Sequence, residues 1–154
     1  MGEEKDSQAP QQQAALKRLD VLVGEWKVEI LHPLMPGTTI RGQVSFEWLA
    51  GEYFLLERSS VEHPDFPDGL FIIGFDEEAG QYKMHYFDSR GISRVYEMSL
   101  TNGVWKVWRD DPDFSQRYIG MFSDDGNTIT GNWEISRDGS KWEHDFDLTY
   151  RKVR

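Results

Sequence analysis

Few side chains in this chain have both the type and the placement to act on a ligand, and they fall on strand-like segments where every second residue is apolar. Trp142, His144, Phe146, Leu148 and Tyr150 alternate with Glu143, Asp145, Asp147 and Thr149. Successive strand side chains point to opposite faces, so this spacing puts His144 on the apolar face. An imidazole there either hydrogen-bonds a core hydroxyl, touches a bound molecule, or ligates haem iron. Tyr96, Met98 and Leu100 share a face, and Arg94 has their parity at the strand's start. An inward guanidinium at a barrel mouth suits bidentate recognition of a carboxylate. Trp133 shares its face with Ile129, Gly131 and Ile135. The candidate ligand-binding residues are therefore Arg94, Tyr96, Met98, Trp133, His144 and Phe146. Among the carboxylates, Glu57 and Glu97 deserve separate treatment. Paired with Arg58 or Arg94 either would be structural, whereas an unpaired buried glutamate with a raised pKa suggests acid–base chemistry.

Other chemistries find no support. The chain has no cysteine, which removes disulfides, thiolate metal sites and a thiol nucleophile. His32, His63, His85 and His144 lack metal-ligand spacing, and there is neither a nucleophile elbow nor a phosphate-binding loop. Asp110-Asp-Pro-Asp113 and Asp124-Asp125 lack the spacing of a calcium loop and read as solvated turns. Ser136-Arg-Asp-Gly-Ser-Lys-Trp142 reads as a hairpin around Asp-Gly. No catalytic residue and no metal site are assigned.

The elements that hold these residues are strands. Residues 1–10 are polar, end in Pro10, and are expected to be a disordered tail. From Gln11 to Val23 the apolar positions Ala15, Leu16, Leu19, Leu22 and Val23 have helical spacing, with Gly24 as the stop. From Trp26 on the period is two, in about ten segments separated by turns rich in Gly, Pro and Asp. Such a meander tends to close on itself and so remove its edges. The predicted fold is all-β: an antiparallel meander of about ten strands closed into a lipocalin or fatty-acid-binding-like barrel with one short N-terminal helix, a single domain over residues 11–154. Periodicity leaves three strands open: Trp105, Val107 and Arg109 compete with Val104, Lys106 and Trp108 for the inside, Tyr82, Met84 and Tyr86 with His85 and Phe87, and Tyr118 with Arg117.

Composition narrows the partners. The net charge is −10, with no basic stretch to follow a phosphate backbone or an anionic membrane. Neither nucleic acid nor membrane is an expected partner. No apolar run has the length of a membrane span, and the N-terminus lacks the pattern of a signal peptide, so the expected location is the cytoplasm and the expected state a monomer or homodimer.

Several motifs together carry a family likeness: Leu19-Asp-x-Leu-Val-Gly-x-Trp26, Glu47-Trp-Leu-Ala-Gly51, Phe54-Leu-Leu-Glu-Arg58, Gly74-Phe-Asp-Glu-Glu-Ala-Gly80, Tyr86-Phe-Asp-Ser-Arg-Gly91, Gly131-Asn-Trp-Glu134 and Asp138-Gly-Ser-Lys-Trp142. From about Leu19 to Val153 the chain resembles a mostly bacterial family of lipocalin-like (calycin) barrels classed as a domain of unknown function. The resemblance implies a fold and no activity. It also implies that Trp26 plugs one barrel end beneath a cation from Arg151, Lys152 or Arg154. A weaker likeness, to the haem-binding nitrobindins, implies a haem ligand near the position of His144, although Gly24-Glu-Trp-Lys-Val-Glu29 lacks their repeated glycines. The expected function is binding of a small, mostly apolar ligand inside the barrel, without a cofactor. The alternatives are a haem-dependent or isomerase- or cyclase-type activity in the same cavity, and a packed scaffold barrel.

Overall fold

The computed structural model describes the backbone from Gly2 to Arg154 and the side chains from Pro10 onward. Helix α1 (Gly2–Arg18) leads through a single 3-10 turn (Leu19–Val21) into ten strands. These are β1 (Gly24–Leu31), β2 (Thr39–Trp48), β3 (Leu55–Val61), β4 (Gly69–Asp76), β5 (Gln81–Asp88), β6 (Ser93–Thr101), β7 (Val104–Arg109), β8 (Ser115–Phe122), β9 (Thr128–Ser136) and β10 (Glu143–Lys152). Every strand pairs antiparallel with its sequence neighbours, and β1 also pairs with β10, which closes the barrel. Trp26 stands opposite Lys152 on one side and Val44 on the other. The Glu25 amide donates to the Arg154 carbonyl at 2.7 Å, which fastens the seam.

Helical backbone begins at Gly2 and runs through Pro10, earlier than the Gln11 start that the apolar spacing predicts. It stops at Arg18, short of the predicted Val23, because Leu19–Val21 tightens into the 3-10 turn. The side chains of residues 1–9 lie outside those described, and with them the tail expected there. No described helix is long and apolar enough to cross a membrane.

The barrel has two unlike halves. The half under the helix is solid: Trp26, Phe46, Leu55, Ile73, Met84, Met98, Trp105, Tyr118 and Ile129 are all buried there. Ala15, Leu16, Leu19 and Leu22 stopper this end. Tyr82 donates its hydroxyl to the Ala15 carbonyl at 2.5 Å, and Trp26 donates its indole N–H to the Leu22 carbonyl at 2.8 Å. The cation over Trp26 is Lys152, with Nζ 5.5 Å from the ring, while Arg151 pairs with Glu29 and Arg154 with Glu25. Tyr118 fits because its neighbours have no side chains. A Cβ on Gly120 would stand 2.7 Å from the Tyr118 hydroxyl, and one on Gly131 would stand 2.6 Å from it and 2.4 Å from the Ile119 carbonyl oxygen.

Three open choices of face are settled. Trp105 and Val107, Tyr82 and Met84, and Tyr118 are the buried sets. Arg117 turns outward, 2.9 Å from Glu134 and stacked on Trp142 at 3.8 Å.

Two inward assignments, Trp142 and His144, are overturned; Trp142 meets the outward Arg117. In the β9–β10 ladder Glu134 faces His144, yet the next partner pair is Trp133 with Phe146, so Asp145 is an extra residue. This bulge reverses the side-chain alternation ahead of Phe146. His144 lies on the same side as the outward Glu134, 41% exposed, with Nε2 3.3 Å from Asp147. The expected inward position of His144 is therefore wrong by one inserted residue.

Candidate functional site

The other half of the barrel is hollow. A cavity of about 230 Å³ opens at the end away from the helix. Its wall runs round the barrel from Val28 and Ile30 through Val44, Glu57, Ser59 and Val61 to Phe71 and Tyr86. It continues through Arg94, Tyr96, Gln116 and Trp133 to Phe146, Leu148 and Tyr150. On each strand the next inward residue toward the helix, such as Trp26, Phe46, Leu55 or Tyr118, belongs to the solid half. The cavity is thus a blind cup.

Seven of its eighteen lining residues are aromatic. Phe71 lies 4.8 Å from Tyr86, Tyr86 lies 6.2 Å edge-on to Tyr96, Tyr96 lies 6.0 Å from Trp133, and Trp133 lies 5.3 Å from Tyr118 beneath (centroid distances). Such edge-on and tilted pairs support each other's rotamers as well as burying area. The loop between β3 and β4 (residues 62–68) brings Phe66 and Pro67 over the mouth. Phe66 packs edge-on against His32, His63 and Phe146, and His32 stacks on Phe146.

Polar groups lie at two levels. At the mouth, Arg90 is committed to Asp88: its Nη2 is 2.7 Å and its Nε 3.1 Å from Oδ2, which also accepts from the Tyr86 hydroxyl at 2.6 Å. These bonds, the one from Arg90 foremost, hold the Asp88 carboxyl well below the usual range, whereas burial and the bond to Asp88 push the Tyr86 phenol up. Arg94 is not committed in this way. Among the described residues it makes no ion pair; Nη1 donates to Gln116 Oε1 at a long 3.4 Å, and that oxygen already accepts from Tyr96 at 2.7 Å. The guanidinium rests 5.4 Å above the Phe114 ring.

At the floor, Glu57 is 3% exposed. Its Oε1 has no hydrogen-bond partner, and no ion pair reaches it among the described residues. Burial pushes its carboxyl up to about 8, so the acid is neutral at pH 7. Arg58, next along β3, points outward to Glu47 at 3.6 Å. Glu97 is also outside, 2.8 Å from Lys83.

Of the residues singled out from the sequence, Arg94, Tyr96, Trp133 and Phe146 come together on this one cavity. Met98 faces inward but is fully buried in the solid half, under the floor. His144 is outside the barrel, so the residues present do not fit a haem held from within by that imidazole. His32, at the mouth, has Nδ1 taken by the Leu34 amide at 3.1 Å and Nε2 directed at Asp145, 3.8 Å away. Gln116, Phe66, Phe71, Tyr86 and Tyr150 line the cavity without having been assigned to it. Gln116 has the parity of Tyr118, and resolving that strand would have found it.

The same architecture occurs in solved structures. Rv2717c from M. tuberculosis superposes with a TM-score of 0.62 at 15% identity, covering 91% of this chain and 98% of that one. Fatty-acid-binding protein 1 of Echinococcus granulosus superposes with a TM-score of 0.60 at 16% identity, covering 88% of this chain and 99% of that one. At these identities the likeness is one of fold. None of the curated proteins matches the chain significantly. The family described as "Protein of unknown function (DUF1579)" matches residues 11–106, from the stoppering helix through the β6 side of the cup into β7, and the chain belongs to that family.

Proposed function

We propose that this protein binds a small amphipathic carboxylic acid in the hollow half of its barrel, with the carboxylate on Arg94 and the chain against the aromatic wall. The observation that carries this reading is the uncommitted guanidinium at the mouth of an otherwise largely apolar cavity. Ligand pockets typically combine such a wall with a few placed polar groups. A charged donor aimed at a carboxylate contributes more than a neutral one. The volume suits about eight groups of water or methylene size, at about 30 Å³ each. The barrel shared with a protein named for binding fatty acids supports the reading as an analogy of fold.

Calorimetric titration with octanoate and with octanol tests it. Octanoate binds, and R94Q weakens it by about ten- to a hundredfold, the worth of a hydrogen bond to a charged group, while octanol is unaffected by the substitution. Absence of octanoate binding, or equal binding to R94Q, sinks the proposal. The packed-scaffold alternative would give no binding of either probe.

A further inference from the structure

Glu57 is the one wall residue whose presence the fold does not explain. It sits at the last lining position of β3, opposite Phe46 on β2 and Phe71 on β4, neither of which brings a charge. The titratable groups whose fields reach it are the Tyr118 and Tyr150 hydroxyls, both held protonated mainly by burial and secondarily by Glu57. Lys83 and Arg58, the cations nearest in the ladder on β5 and β3, are paired on the outer face. Leaving a buried polar atom without a partner destabilises the fold, and an apolar residue of similar shape would avoid that cost. A structural glutamate at such a place would be paired, and this one is not.

We infer that Glu57 forms a second polar subsite at the floor of the cup, which donates a hydrogen bond to a neutral oxygen on the inner end of the ligand. The ligand is then polar at both ends: a medium-chain acid with a carbonyl or ether oxygen far from its carboxylate. This rests on the carboxylate-binding reading above. A neutral carboxylic acid has one O–H to donate; Glu57 lines the foot of the cavity, and its enclosed Oε1 has no partner in the protein. A ligand oxygen at the foot of the cavity supplies the carboxylic acid with a partner. A purely aliphatic tail leaves the group unsatisfied, so the site discriminates between the two.

Octanoate, 7-oxooctanoate and 8-aminooctanoate distinguish the possibilities by calorimetry at about pH 6.5, where the acid is neutral. The keto acid accepts hydrogen bonds and cannot donate at its ketone. Wild-type protein is expected to prefer 7-oxooctanoate to octanoate by about three- to tenfold. E57Q, which keeps a donor, retains the preference, and E57L loses it. At about pH 9.5 the ionised wild-type acid cannot donate, so its preference disappears while that of E57Q persists. Equal binding of octanoate and 7-oxooctanoate at the lower pH overturns the subsite and leaves the Arg94 reading standing; Glu57 then holds only resident water. Tightest binding of 8-aminooctanoate also overturns it, since Glu57 would be acting as an anion. Failure of all three to bind removes the Arg94 reading and this inference together.

Discussion

A carboxyl group kept neutral in an apolar barrel makes stability depend on pH in a definite direction. Glu57 takes up its proton at about 8 in the folded protein and near 4.5 when exposed. Between those values the folded state holds more protons than the unfolded state, so stability falls as pH rises. The stabilising contribution is complete below about 4.5 and gone above about 8, with a difference on the order of a few kcal/mol. E57Q does not titrate. Its melting temperature should change less than that of the wild type between pH 5 and pH 8 (about those limits), and it should be the more stable of the two at the upper end. Parallel thermal melts check this, and matching pH profiles would count against a neutral Glu57. The group could be marked from sequence as a carboxylate to examine, beside an arginine whose pairing with it the sequence leaves open. Its lack of a partner could not, since that depends on strand register and on where Arg58 and Arg94 reach, in the structure to Glu47 and to Gln116.

Alternation succeeded where one side of a strand is apolar and the other is not. In β1, Trp26, Val28 and Ile30 stand against Lys27 and Glu29, and in β9, Ile129, Gly131 and Trp133 stand against Thr130 and Asn132. It failed in two recognisable ways. In β7 both faces carry a tryptophan, Trp105 inside and Trp108 outside, so composition cannot choose. In β10 one extra residue at Asp145 moves His144 from the expected inner face to the outer one. A bulge adds no unusual residue type, and its effect on every position ahead of it is hidden from periodicity. The element most sensitive to a single change is the β8–β9 pair. A Cβ at Gly131 would meet the Ile119 backbone oxygen at 2.4 Å, a contact that no rotamer can relieve. G131A is expected to destabilise by roughly 2–4 kcal/mol, measurable by urea denaturation, and Y118F should not restore it, because the clash with backbone remains. The loop over the mouth should behave in the opposite way. F66A removes an aromatic cover that touches the cavity but not the solid half, so stability should move little while ligand release quickens several-fold in stopped-flow displacement.

Across the whole molecule, the division into a solid and a hollow half separates stability from the proposed binding. The stoppered half holds most of the large fully buried side chains, among them Trp26, Trp105, Tyr118 and Phe46. Substitutions there are expected to lower the melting temperature, and those on the cup wall to alter affinity first. Octanoate at a hundred times its Kd should stabilise the folded state by about 2.7 kcal/mol, seen as a concentration-dependent rise in Tm that R94Q shifts to higher ligand concentration. Among the described residues the cup opens at its mouth, with Phe66 above it and the helix-capped core below. A molecule with two different ends therefore cannot pass through; it enters and leaves by the same door and in the same posture. For the proposed ligand, the inner oxygen would cross the threshold first on arrival and last on departure. Loading of such a ligand would thus be a vectorial process, in which the groups at the rim set the pace of exchange and those at the bottom decide which cargo stays.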